Sequence, residues 1–128
     1  MCTTDTCAAC CCREDLHHAF LTCKMNTTFF KKLIDLVKDV YNVKLKLDAF
    51  FLLKIQDQKD IDDILTIAFW SIYKMLILRN ETGNDKREKN LWYTFLHELK
   101  TRMVTNNTLI KMGKKSLYNL PECINMYI

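Results

Sequence analysis

At 128 residues, with 49% hydrophobic and 11% aromatic content, the chain is long and apolar enough for one domain with its own core, which excludes disorder along its whole length. Two glycines and one proline are too few turn residues for an all-β sandwich, so the composition predicts a mainly α fold. The net charge of +4 is mild and permits nucleic-acid contact without requiring it.

Neither a basic n-region nor an apolar h-region follows Met1, so no secretory signal is read there and an intracellular location, nuclear or cytoplasmic, is expected. The sequons at Asn26, Asn80 and Asn106 are then chance triplets of an Asn- and Thr-rich chain. Six of the seven cysteines (Cys2, Cys7, Cys10, Cys11, Cys12 and Cys23) fall in the first 23 residues, with His17 and His18 between them. Zinc takes four thiolate or imidazole ligands at the corners of a tetrahedron. A Cys-x2-Cys pair supplies two of them from one tight turn, and a His and a Cys one to two helical turns apart supply the others. Cys7, Cys10, His18 and Cys23 meet that spacing, with Cys2, Cys11, Cys12 and His17 as rival ligands. A reducing compartment and the adjacent trio Cys10-Cys11-Cys12 disfavour disulfides. Unligated cysteines in a disordered terminus are the other alternative. No βαβ pattern surrounds the Cys-x2-Cys pair to suggest thiol catalysis.

From Asn26 to Asn42, Phe29, Phe30, Leu33, Leu36, Val37 and Val40 recur at helical spacing, with Asn26 or Thr27 as the expected cap. Val43 to Leu47 alternates like a strand, and the run Ala49 to Leu53 is read as extended or a short helix. The longest helix is expected from Asp60 to about Arg79, where Asp60, Asp62 and Asp63 face the positive end of the dipole. That role accounts for the adjacent Asp62 and Asp63 without polymerase chemistry. Ile61, Ile64, Leu65, Ala68, Phe69, Ile72, Met75 and Leu76 line one face, and Trp70, Tyr73 and Ile77 make the other nearly as apolar. This helix is therefore expected to be the most buried element. Its apolar run, Ile64 to Leu78, is too short and interrupted to span a bilayer, so no membrane partner is expected.

Gly83 and Asn84 break the pattern, and a further helix is predicted from Asp85 to about Val104 on Leu91, Trp92, Phe95, Leu99 and Met103. Regular placement makes Trp70 and Trp92 core residues, and His97, a lone histidine in a helix, is read as a surface or boundary residue and not a ligand. After Thr105, Gly113 and Pro121 predict a loosely ordered tail. The chain thus divides into a zinc-knuckle-like segment 1–25, a helical domain 26–104 of three to four helices, and a tail 105–128. Between Lys74 and Lys115, ten basic residues stand against four acidic ones. Lys86, Arg87, Lys89, Lys111, Lys114 and Lys115 are the candidate phosphate contacts. Lys86, Arg87 and Lys89 oppose the helix dipole, so a role other than helix stability is sought for them.

Together, Cys7-Ala-Ala-Cys10, the stretch Glu14-Asp15-Leu16-His17-His18-Ala19-Phe20-Leu21-Thr22-Cys23 and the helix opening at Thr27-Thr28-Phe29-Phe30 resemble the zinc-binding region that follows the polymerase in non-LTR, LINE-type retrotransposon reverse transcriptases. Phe69-Trp70-Ser71-Ile72-Tyr73-Lys74, Arg79-Asn80 and Trp92-Tyr93-Thr94-Phe95 are also similar, so the likeness covers about residues 7 to 104. Cys11 and Cys12 depart from that pattern, as does Ala19 where a larger apolar residue is usual. The resemblance implies contact with template RNA or target DNA by a terminal fragment or remnant. Polymerase chemistry is not carried over. The function expected is an accessory nucleic-acid-binding module with one structural zinc, no catalytic residue and no small-molecule substrate. The alternative is a helical protein-interaction or structural domain without a nucleic-acid role.

Overall fold

The computed structural model describes residues 18–45, 61–118 and 120–127. These are mainly helical and contain no strand. A π-helical turn at His18–Thr22 and a 3-10 turn at Lys24–Asn26 lead into α1, Thr27–Tyr41. Helices α2, Asp62–Thr82, and α3, Arg87–Lys111, follow, and a 3-10 turn at Glu122–Tyr127 comes last. Val43 to Leu45 are not in a strand; the rest of the 43–53 stretch lies outside the described residues.

Helix α1 turns Phe29, Phe30, Leu33, Leu36 and Val37 inward, as their spacing requires. It stops at Asn42, whose φ of 56° is the left-handed conformation that asparagine tolerates, and the Asn42 N–H donates to the Lys38 carbonyl at 3.0 Å. Asn26 does occupy the position before α1, but its side chain caps nothing. It is fully buried and spent on the N-terminal turn, where Nδ2 donates to the Ala19 carbonyl at 2.7 Å.

Helix α2 starts with Asp62 and Asp63 in its first turn and ends at Gly83, whose φ of 75° suits a residue without Cβ. Four residues separate it from α3, which makes the two an antiparallel hairpin: Met75 meets Thr94, and Lys74 pairs with Glu98. One side of α2 is sealed by Ile64, Leu65, Ile67, Ala68, Ser71, Ile72, Met75 and Leu76. The other differs from expectation. Trp70 is 42% exposed and Tyr73 44%, because α3 and the N-terminal turn cover a single face of the helix.

Phe20 ties that turn to α2 by stacking on Phe69 with ring centroids 4.1 Å apart, and Phe29 of α1 meets Phe95 of α3 edge-on at 5.4 Å. Trp92 packs against the edge of this core as expected. Helix α3 runs past Val104 to Lys111 and closes in a Schellman motif. Gly113, at φ 76°, donates to the Ile110 carbonyl at 3.0 Å, and Lys114 donates to Leu109 at 2.9 Å. Asn106, buried in its last turns, accepts from the N–H groups of Leu117 and Tyr118 and donates to the Tyr118 carbonyl. Ile124 is fully buried in the core, so the segment expected to be loose folds back onto the helices. No described helix is long and apolar enough to cross a membrane.

Candidate metal centre and basic surface

Of the expected zinc ligands, Cys7 and Cys10 lie outside the described residues, as do the rivals Cys2, Cys11, Cys12 and His17. His18 and Cys23 are described, and both are buried. They stand at the two ends of one turn, which the Cys23 N–H closes by donating to the His18 carbonyl at 2.9 Å. Among the described residues no group of three or more His, Cys, Asp or Glu side chains is close enough to hold a metal. The described half of the set thus offers one imidazole and one thiol, chemically the donors that zinc takes.

The turn is held by a residue expected elsewhere. Arg87, placed by sequence among the phosphate contacts, has a side chain with no exposure at all. Its guanidinium lies beneath the N-terminal turn, and each of its five N–H groups has an acceptor. Nε faces the Asp85 carboxylate at 2.9 Å, and Nη2 reaches the same carboxylate at 2.5 Å and Cys23 Sγ at 3.4 Å. Nη1 donates to the Ala19 carbonyl at 3.1 Å and to Asn26 Oδ1 at 3.2 Å. Burial alone would lower the pKa of Arg87. The Asp85 hydrogen bond and the charges of Cys23 and Asp85 reverse the sign, so the guanidinium stays charged. Asp85 is pushed up by burial and down further by Arg87, and it ends below the usual carboxylate range. Its Oδ1 also accepts the Arg87 backbone N–H at 3.1 Å, so it serves the start of α3 as well.

This answers the question raised by basic residues at a helix start: Arg87 sits there for its buried partners. An aspartate two residues before an arginine at a helix N-terminus was the available sequence signal. Asn26, the second buried polar member of the cluster, gave none, because a capping role explained it equally well.

The remaining phosphate candidates are all exposed, yet they do not form one cluster. Lys86 and Lys89 lie at the first turn of α3 and Lys111 at its last, roughly 33 Å further along the axis. Lys114 and Lys115 follow the Gly113 stop. On the inner side of α3, Glu98 is buried and binds Lys74 of α2 and Arg102, the latter at 2.6 Å. Burial pushes its carboxyl up, but hydrogen bonds from Lys74 and Arg102 more than offset that and hold it below the ordinary range. Lys74 also lies over the Trp70 ring at 5.5 Å, and Trp70 stacks on Tyr73 at 5.6 Å. Of the two cysteines in the described residues, Cys23 is buried and Cys123 is exposed.

Comparison with protein-family models, with curated proteins and with solved structures finds no match.

Proposed function

We propose that this chain is a non-catalytic, helical accessory module that contacts RNA or DNA, with a structural zinc held by Cys7, Cys10, His18 and Cys23. What supports the metal half of this reading is the closed turn from His18 to Cys23, tied to the start of α3 by the buried Arg87. A metal ligand commonly receives a hydrogen bond from the surrounding protein, and the Arg87 contact to Cys23 Sγ is of that kind. When bound, zinc adds folding free energy to a segment too short to hold a core of its own. The likeness of the Cys-x2-Cys and His-x4-Cys stretch to the region after LINE-type reverse transcriptases supports the nucleic-acid half. So does the basic surplus between Lys74 and Lys115.

Cobalt(II) titration tests the metal. A tetrahedral thiolate site gives intense charge-transfer absorption, expected for the native chain and lost in Cys7→Ser, Cys10→Ser and Cys23→Ser. A spectrum unchanged in all three variants defeats this ligand set. For nucleic acid, affinity must fall linearly with salt on logarithmic axes. Absence of binding to single-stranded RNA and DNA even at low salt removes that half of the reading.

A second reading, a helical protein-contact domain, is favoured by one observation: the Trp70–Tyr73 stack stands open on α2. Large aromatics exposed together are typical of contact surfaces. Absence of nucleic-acid binding in the salt series would leave this as the better account.

A further inference from the structure

Helix α3 carries its charge unequally. Placed at 100° per residue, Lys86, Lys89, Tyr93, Lys100, Val104 and Lys111 fall within about 40° of one another's mean direction. All six are exposed, Tyr93 at 70% and Val104 at 55%. No acidic residue shares that face: Glu98 points inward to Lys74 and Arg102, and Glu88 lies about 140° from Tyr93 around the axis. Among the described residues none of the four lysines has an ion-pair partner. A solvated helix face ordinarily mixes signs at i,i+4 spacing, as α1 does by setting Asp35 and Asp39 among Lys31, Lys32 and Lys38.

The lysines are also in line. Lys89, Lys100 and Lys111 recur every eleven residues, close to three turns, so they stand roughly 16 Å apart along one edge. The face has no arginine. It therefore presents point charges suited to phosphate, and lacks the planar fork that reads guanine edges. Tyr93 adds an exposed ring between the first lysines and Lys100, and stacking on a ring requires an unpaired base.

We infer that the outer face of α3 is a phosphate-binding rail for a single nucleic-acid strand, with Lys89, Lys100 and Lys111 on the backbone and Tyr93 stacking on a base. This rests on the nucleic-acid reading above and assigns it a surface. Binding is by charge and stacking, so it is tolerant of sequence.

The test compares two neutralised variants of equal net charge, using labelled single-stranded RNA, single-stranded DNA and duplex RNA across a salt series. Lys89→Gln/Lys100→Gln/Lys111→Gln alters the rail, and Lys31→Gln/Lys38→Gln/Lys44→Gln alters exposed lysines of α1 and its C-terminal flank. All six positions are on the surface, and circular dichroism checks the fold. Loss of three phosphate contacts should flatten the logarithmic salt slope by about 2 and weaken single-strand binding roughly a hundredfold at about 50 mM salt, with the α1 variant near wild type. Tyr93→Ala should cost about fivefold or more on single strands and nothing on duplex. Equal losses in both triple variants overturn the rail, since net charge alone would then explain binding. So does a rail variant that binds like wild type, although the nucleic-acid reading survives that result. Duplex bound as tightly as single strand, with Tyr93→Ala silent, overturns the single-strand assignment. If the wild-type chain binds none of the three, the underlying reading fails and the rail with it.

Discussion

Arg87 and Cys23, 64 positions apart in sequence, meet through a guanidinium N–H that donates to Sγ at 3.4 Å. The same guanidinium holds Asp85, the Ala19 carbonyl and Asn26, so one side chain fastens the cysteine-bearing turn to the start of α3. The N-terminal turn and the helical hairpin should therefore lose stability together when the guanidinium is removed.

Arg87→Met, which keeps most of the volume, leaves Asp85, Asn26 and Cys23 without their shared donor. Removing one partner of a buried charged pair costs about 3 kcal/mol or more. Urea denaturation measures it. A loss under about 1 kcal/mol would mean that the buried cluster contributes little to the fold.

Acid should weaken the protein through Asp85 and Glu98, both held below the usual carboxylate range. A carboxyl with a lowered native pKa stabilises the fold fully above its unfolded value, near 4. That contribution disappears as pH falls through the native value. Glu98→Gln should be less stable than wild type at neutral pH and lose less on acidification. Parallel stability curves for the two proteins between about pH 6 and pH 2 would contradict the assignment for Glu98.

Phe20 makes the only described stack between the N-terminal turn and α2, on Phe69. Phe20→Ala should cost about 3 kcal/mol, within the usual range for a buried phenylalanine. Leu33→Ala, at a fully buried site in α1, should cost about the same. Hydrogen exchange distinguishes the two: Phe20→Ala should deprotect the residues around His18 to Asn26 first, and Leu33→Ala should deprotect the core at large.

Gly83 and Gly113 both have left-handed backbones, and a Cβ at either would meet nothing within 4 Å. The cost of Gly83→Ala or Gly113→Ala is thus conformational, about 1 kcal/mol each. Thermal unfolding should show small and additive losses. A gain at either site would contradict the backbone assignment.

Periodicity disclosed the three helices because each buries a continuous stripe, and the caps at Asn42 and Gly83 fell where left-handed residues were available. The exposure of Trp70 and Tyr73 was hidden: a helix apolar all round reads as central, and only the number of covering layers reveals which side is bare. Arg87 was misplaced for a related reason. Charge counting treats every arginine as surface, whereas its role depends on Ala19, Cys23 and Asn26 arriving from more than sixty residues away. The extension of α3 past Val104 was masked by Thr105, Asn106, Asn107 and Thr108, poor helix formers that Asn106 redeems by tying down Leu117 and Tyr118. The five-residue separation of His18 and Cys23 is what sets them at the two ends of one turn, and spacing alone made that nearness legible.

The contrast between buried Cys23 and exposed Cys123 provides a clock. A maleimide reagent meets Cys123 at once, while Cys23 reacts only when the turn detaches from Arg87. The delay between the two modifications, followed by mass spectrometry, reads the opening rate of that turn in the intact chain, and added zinc should lengthen it.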